Sequence, residues 1–342
     1  MINTVDLTNF KCFEHLYVNG LQSVNLIGGK NNIGKTSFME SLELFLSSRN
    51  TYDLAFNIYK MIRRRQHNIR REKYIELDFI YQDYSKIDII INNQKIAIEY
   101  FEQFPELIED ISSEENLLIQ YQPSLKLLVN NEESIFPISR IIEKPIMVRR
   151  DIDSIKERIN FISSATTEER EIAIYYGKLV TLNKENFLND SLHLFDENIV
   201  ALKQIVTERD VILKLLLKNR ATPVLLSSLG EGINRYIAIL CAIWASQDGY
   251  LFIDEIENGI HYTNYPKLWE VIFEASKMAN CQIFITTHSK ECIEAFNKVN
   301  SENNGTYIEF YRSKKTDQIN VKQRDKEQLE YSLSHNGEFR GE

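Results

Sequence analysis

The chain reads as an α/β protein with mixed sheets and an inserted helical lobe, and three observations predict this. Apolar stretches of strand length occur near both ends, at Val24–Ile27, Tyr250–Ile253 and Gln282–Thr286. Each leads through a turn into a segment of helical periodicity, the alternation of a sheet covered by helices. Between them, Tyr74–Tyr81 alternates apolar and polar residues, and Ile87–Ile91 and Ile96–Tyr100 flank an Asn92-Asn93 turn, the pattern of antiparallel strands.

Taken in order, Ile2–Leu7, Leu16–Val18 and Val24–Ile27 are predicted strands, and Thr36–Leu46 and Tyr52–Arg65 predicted helices. Leu117–Tyr121, Lys126–Val129 and Ile146–Val148 extend the antiparallel region. The charged stretch from Asp151 to about Lys218 is expected to be helical. It holds no sustained heptads, which argues against a long coiled-coil arm. From Pro223 onward, helices are predicted at Gly232–Ser246, Tyr265–Met278 and Lys290–Phe296, and strands at Tyr250–Ile253, Gln282–Thr286 and Tyr307–Tyr311. The run from Ile319 to about Leu333 closes the chain. Residues 1–342 are thus expected to form a single head: 1–150 and 223–342 build one nucleotide-binding sheet with antiparallel strands, and 150–222 form the inserted lobe.

Composition narrows the class. With 43% hydrophobic and 26% charged residues, the chain has the make-up of a soluble globular protein. A net charge of −9 excludes a generic polyanion binder, though not a local basic patch. No apolar run is long enough to span a bilayer, and MINTVDLTNF has neither the basic nor the apolar region of a signal peptide. Cys12, Cys241, Cys281 and Cys292 are scattered, so disulfides and a structural zinc site are not expected. The expectation is a cytoplasmic protein without membrane contact.

Four motifs carry chemistry. Gly29-Lys30-Asn31-Asn32-Ile33-Gly34-Lys35-Thr36 fits G-x-x-x-x-G-K-[ST], the phosphate-binding P-loop, and stands between a strand and a helix. There the helix N–H groups and dipole favour an anion. Lys35 is placed to reach the β- and γ-phosphates of ATP, and the Thr36 hydroxyl to bind Mg²⁺. Tyr250–Ile253 ends in Asp254-Glu255, a Walker B element: Asp254 would hold Mg²⁺ through its water shell, and Glu255 would deprotonate the attacking water. Leu226-Ser227-Ser228-Leu229-Gly230-Glu231-Gly232 opens a helix, with a Ser and a Gly placed to bind phosphate; the same residues also fit a plain capping box. Ile283–Thr287 ends in His288, at a position from which a ring nitrogen can meet a γ-phosphate or water.

The ordered set resembles the ABC-type ATPases, and more narrowly the RecF/SMC/OLD-like branch with its stand-alone AAA ATP-binding relatives. Leu7-Thr8-Asn9-Phe10-Lys11-Cys12-Phe13 is similar to the N-F-[RK]-x-F opening of that branch, and Asn31 to its G-x-N-x-x-G-K-[ST] loop. The resemblance implies that Lys11, Gly29, Asn31, Asn32, Gly34, Lys35, Thr36 and Ser37 bind nucleotide. It also implies a head-to-tail dimer or higher oligomer in which Ser228 and Gly230 touch the ATP held by the partner. Asn258–His261 match the D-loop and His288 the switch histidine. Leu229 and Glu231 depart from the transporter signature, so transporter ATPases match less well. The Q-loop glutamine has three candidates, Gln82, Gln120 and Gln122.

About fifty residues follow His288, too few for the nuclease domain of OLD-type proteins. The expected function is an ATP-hydrolysing switch that controls a separate effector, a nuclease or toxin, in anti-phage defence. The alternative is a RecF-like DNA repair ATPase. The basic run Arg63–Lys73 would serve nucleic-acid contact, and it also reads as a solvated helix end. Glu99–Glu115 is an acidic, aromatic-bearing stretch that reads as a helix–loop or a docking surface.

Overall fold

The computed structural model describes residues 1–65, 86–102, 123–143, 158–165, 167–207, 211–300 and 304–334. The chain begins with β1 (Val5–Phe10), β2 (Phe13–Val18), β3 (Val24–Gly29), α1 (Lys35–Leu46) and α2 (Thr51–Arg65). Strands β4 (Lys86–Ile91), β5 (Gln94–Glu102), β6 (Pro123–Val129) and β7 (Glu132–Pro137) follow, then the short helix α3 (Ile138–Glu143). Next come β8 (Ile159–Ile162), α4 (Glu169–Thr181), α5 (Glu185–Phe195), β9 (Ile199–Val206), β10 (Val211–Leu217) and β11 (Val224–Leu225). The C-terminal part holds α6 (Glu231–Ala245), β12 (Tyr250–Ile253), α7 (Tyr265–Ala279), β13 (Gln282–Thr286), α8 (Lys290–Val299), β14 (Gly305–Arg312), β15 (Ile319–Arg324) and α9 (Lys326–Ser334).

Strand β3 lies inside a six-stranded sheet of order β15-β14-β3-β13-β12-β8. All neighbours pair in parallel except β14 with β15. Every residue of β3 and of β13 is buried, as expected of strands covered on both faces. Side-chain alternation sorts the strands between two cores. Val24, Leu26, Leu251, Ile253, Ile283 and Ile285 join one core with α4 to α8. Ile27, Phe252, Phe284, Ile308 and Phe310 join the other, with α1, α2 and the second sheet. Phe161, Phe252 and Phe284 stack across β8, β12 and β13, with ring centroids 6.1 and 5.5 Å apart.

The second sheet has order β2-β1-β4-β5-β6-β7 and is antiparallel throughout. Asn92 and Asn93 both have positive φ, 47° and 67°, and close the β4–β5 hairpin as a primed turn requires. The N-terminal strands were expected in the nucleotide-binding sheet, but β1 and β2 belong here. Their hairpin closes on itself, and the other edge of β1 pairs with β4, so only β3 crosses to the C-terminal strands.

The stretch expected to be helical is corrected in two places. Helices α4 and α5 are present, but β8 completes the core sheet beside β12, and β9, β10 and β11 form a three-stranded antiparallel sheet. Alternate burial of Leu213 and Leu215 makes β10 a half-buried strand rather than a helix face. Tyr74–Tyr81, Leu117–Tyr121, Ile146–Val148 and the three candidate glutamines lie outside the described residues, as does most of Glu99–Glu115. No helix among the described residues is long and apolar enough to cross a membrane.

Candidate active site

Strands β3, β12 and β13 end together at one edge of the core sheet, and the motif residues project from those ends. Helix α1 starts at Gly34, whose φ of 87° only glycine adopts readily. A Cβ there would stand 2.5 Å from Cys12 Sγ and 2.7 Å from Phe13 Cζ, so the β1–β2 turn packs directly beneath the loop. Asn32 has a φ of 58°, a conformation asparagine tolerates better than most residues. Asn31 and Asn32 are exposed. Lys35 Nζ donates to the carbonyls of Gly29 at 2.7 Å and Lys30 at 2.8 Å, spanning the loop. Burial pulls its ammonium below the ordinary lysine range, opposed by the charges of Glu257, Glu255 and Asp254.

The P-loop and Walker B are joined by side chains. Thr36 Oγ1 lies 3.1 and 3.2 Å from the two carboxylate oxygens of Asp254, to which it donates. Thr286 Oγ1 donates to Asp254 Oδ1 at 2.6 Å and accepts the Glu255 N–H at 2.8 Å. Burial pushes the Asp254 carboxyl up, while the bonds from Thr286 and Thr36 pull it down. Glu255 has a φ of 50°, a strained conformation for a glutamate and one typical of functional sites. Its Oε2 accepts from Asn258 Nδ2 at 2.9 Å, and the same amide reaches the Ser164 carbonyl at 3.0 Å.

Sequence reasoning missed three residues that hold this geometry. Arg235 is buried, and its guanidinium donates to the carbonyls of Asp254 at 2.5 Å, Glu255 at 3.2 Å and Ser163 at 2.5 Å. Its signal was a lone cation at the head of an otherwise apolar helix run, Tyr236–Ala245. Glu257 is buried, and its Oε1 accepts the His288 N–H at 2.7 Å. Thr286 gave no signal beyond its place at a strand end.

Ser228 closes a 3₁₀ turn (Leu226–Ser228) and is exposed; Gly230 is the N-cap of α6, and no side chain caps that helix. The capping-box alternative is therefore not realised. A Cβ on Gly230 would meet nothing within 4 Å, whereas one on Gly232 would stand 2.3 Å from the Gly259 carbonyl oxygen. The start of α6 thus rests on the turn after Walker B, where Gly259 has a φ of 74°.

Lys11 forms a buried ion pair with Glu40 of α1 at 2.6 Å, from the β1–β2 turn that packs beneath the loop and the start of that helix. Ser37 is buried beside Cys12. Within the basic run, Arg64 pairs with Glu43 at 2.6 Å and lies 4.0 Å over the Phe161 ring, while Arg63 is exposed. Residues 66–73 lie outside the described residues.

Residues 24–294 match the AAA_21 family model, described as AAA domain, putative AbiEii toxin, Type IV TA system. This chain belongs to that family. It is a P-loop ATPase of the AAA type, and it binds ATP. An "ATP/GTP phosphatase" of Helicobacter pylori is 26% identical over 331 residues, covering 87% of this chain and 88% of that protein. Among solved structures, an Smc head bound to the C-terminal winged-helix domain of ScpA matches with a TM-score of 0.50 at 14% identity, covering 95% of this chain and 98% of that one. The SMC head domain from Thermotoga maritima matches with a TM-score of 0.48 at 13% identity, covering 95% of this chain and 99% of that one. The match to the ScpA-bound Smc head gives this AAA_21 member an SMC-head type of fold.

Proposed function

We propose that this chain is an ATP-driven switch: two copies close head to tail around ATP, hydrolysis reopens them, and the cycle controls a separate effector protein. The observation that carries the shared site is Gly230. Its φ of −61° suits any residue, and no neighbour lies within 4 Å of its missing Cβ, so its own chain gives no reason for glycine. A ligand pressed against the helix start from outside does.

The residues fit ATP and Mg²⁺. The loop that Lys35 spans is a nest of backbone N–H groups at a helix start, closed behind by Cys12 and Phe13. Thr36 and Asp254 supply one hydroxyl and one carboxylate, a donor set suited to Mg²⁺, which keeps most of its waters and shares phosphate oxygens. Among the described residues no cluster of three or more His, Cys, Asp and Glu side chains could hold a metal, in keeping with a cation recruited by nucleotide. When bound, Mg²⁺ would neutralise charge on the phosphates. Lys35 exchanges its two carbonyls for phosphate oxygens. Glu255, fixed by Asn258 and by the Thr286–Asp254 bonds, takes the proton of the attacking water. His288 faces the same reacting group. Ser228 and Gly230 complete the ATP site of the partner copy.

Control of a nuclease or toxin in anti-phage defence is the proposed output; the family description supports it only as far as naming a putative toxin and a Type IV TA system. The DNA-repair alternative draws less support, because Arg64 of the basic run is engaged within the fold. The test is native mass measurement of the chain with and without ATP, using the slow variant Glu255→Gln. A mass that doubles only with ATP supports the switch. A monomer at saturating ATP overturns the shared site. Copurification with the product of a neighbouring gene tests the effector.

A further inference from the structure

Two buried polar atoms beside the site, on neighbouring side chains, lack a hydrogen bond. Glu257 Oε2 and His288 Nδ1 are both shut off from solvent, and neither has a hydrogen-bond partner among the described residues. They belong to side chains already in touch. Glu257 Oε1 accepts the His288 backbone N–H at 2.7 Å and lies 3.1 Å from Nδ1, whereas the nearest Glu255 oxygen is 3.8 Å from Nδ1. The two ends also differ in freedom: the Glu257 side chain is 7% exposed and that of His288 is 37% exposed. The carboxylate is therefore the fixed partner and the ring the adjustable one.

A buried polar atom left unpaired is costly. A small rotation of the ring would turn the 3.1 Å approach of Nδ1 to Glu257 Oε1 into a hydrogen bond. The other candidate partner is farther off: Glu255 Oε1 stands 3.8 Å from Nδ1, beyond hydrogen-bond range, and Glu255 is held by Asn258 at Oε2 and by Thr286 at its N–H. We propose that Glu257 is the positioning residue of His288: its carboxylate accepts the Nδ1–H and holds the imidazole so that Nε2 is the nitrogen offered to the nucleotide. Glu257 sits in the turn that ends at Gly259, which packs on the start of α6. The ring is thus set by the same turn that supports the signature residues. This assignment rests on the reading of His288 as a group acting at the nucleotide.

The test uses the full chain. Nitrogen-15 NMR of histidine-labelled protein, with Mg²⁺ and a non-hydrolysable ATP analogue, reads the protonation of each ring nitrogen; His288 is assigned by its loss in His288→Asn. A proton on Nδ1 is expected, and a bare Nδ1 overturns the proposal. Kinetically, Glu257→Gln should lower kcat about ten- to a hundredfold, in the range for residues that orient a functional histidine, with the KM for ATP within about twofold. In the His288→Ala background the same substitution should cost nothing more, since it acts through the ring. Losses that multiply, or an unchanged kcat in Glu257→Gln, overturn the proposal. If Glu257→Gln shows no cooperative unfolding transition, Glu257→Asp replaces it and should fall between wild type and His288→Ala. A wild type that fails to turn over ATP strikes the reading of the site itself, while the NMR measurement still judges the pairing.

Discussion

Lys35 is the side chain on which nucleotide binding depends most. Its ammonium is buried with three carboxylates nearby and is balanced in the folded chain by two backbone carbonyls. Lys35→Ala should abolish ATP binding in a direct titration, because the charge facing the β- and γ-phosphates is lost. Glu255→Gln should behave differently. It keeps the bond to Asn258 but cannot accept a proton, so turnover should fall about a hundredfold or more while ATP affinity holds. A variant with wild-type turnover would remove Glu255 from the mechanism. Both residues were legible in the sequence because motif spacing reports the atoms that meet phosphate and water. Arg235 and Glu257 were not, because their work is done on backbone atoms of other segments. A hydrogen bond to a carbonyl across 19 residues, or to an N–H across 31, leaves no periodic trace.

Elements decide how those side chains are held. Helix α6 is tied to the end of β12 by Arg235, whose removal would leave the carbonyls of Ser163 and Asp254 without their short bonds. Arg235→Met should lower the thermal midpoint by several degrees, at roughly 2–4 °C per kcal/mol, and should slow hydrolysis more than it weakens ATP binding. Gly232→Val should act at the other face of the same helix start. Its side chain would collide with the Gly259 carbonyl, displacing the turn from the signature residues. Hydrolysis should drop in an ATPase assay while ATP binding by the P-loop persists. At this scale the sequence was informative where one pattern dominates. The buried β3 and β13, and β12 buried from Leu251 on, read as strands because an apolar run next to a known motif admits little else. Residues 199–217 misled because apolar and charged residues are so mixed that helix and strand periods both fit; pairing of β9 with β10 decided the outcome.

For the whole molecule, the question is whether one copy suffices. Gly230→Ala should leave the unfolding transition where it is, since a methyl there meets nothing, yet weaken ATP-dependent association. Ser228→Arg gives the stronger block. Mixed with Lys35→Ala, it tests sharing directly: one interface of a head-to-tail pair then carries both defects and the other carries none. Partial recovery of hydrolysis in mixed pairs supports sharing. Wild-type turnover by Ser228→Arg alone would show that the helix start takes no part.

The central strand also sets a timetable for synthesis. The P-loop strand emerges early, but its two sheet neighbours, β13 and β14, are encoded near the other end: Val24 pairs with both Ile283 and Gly305. At about 5–20 residues per second, a ribosome needs on the order of ten seconds or more to deliver them. Throughout that interval a mostly apolar strand waits without flanks, and a nascent chain arrested at residue 222 should neither retain ATP nor escape chaperone holdases. Release of the finished chain should restore nucleotide retention. The phosphate loop, translated early, is among the last parts of the protein to become competent.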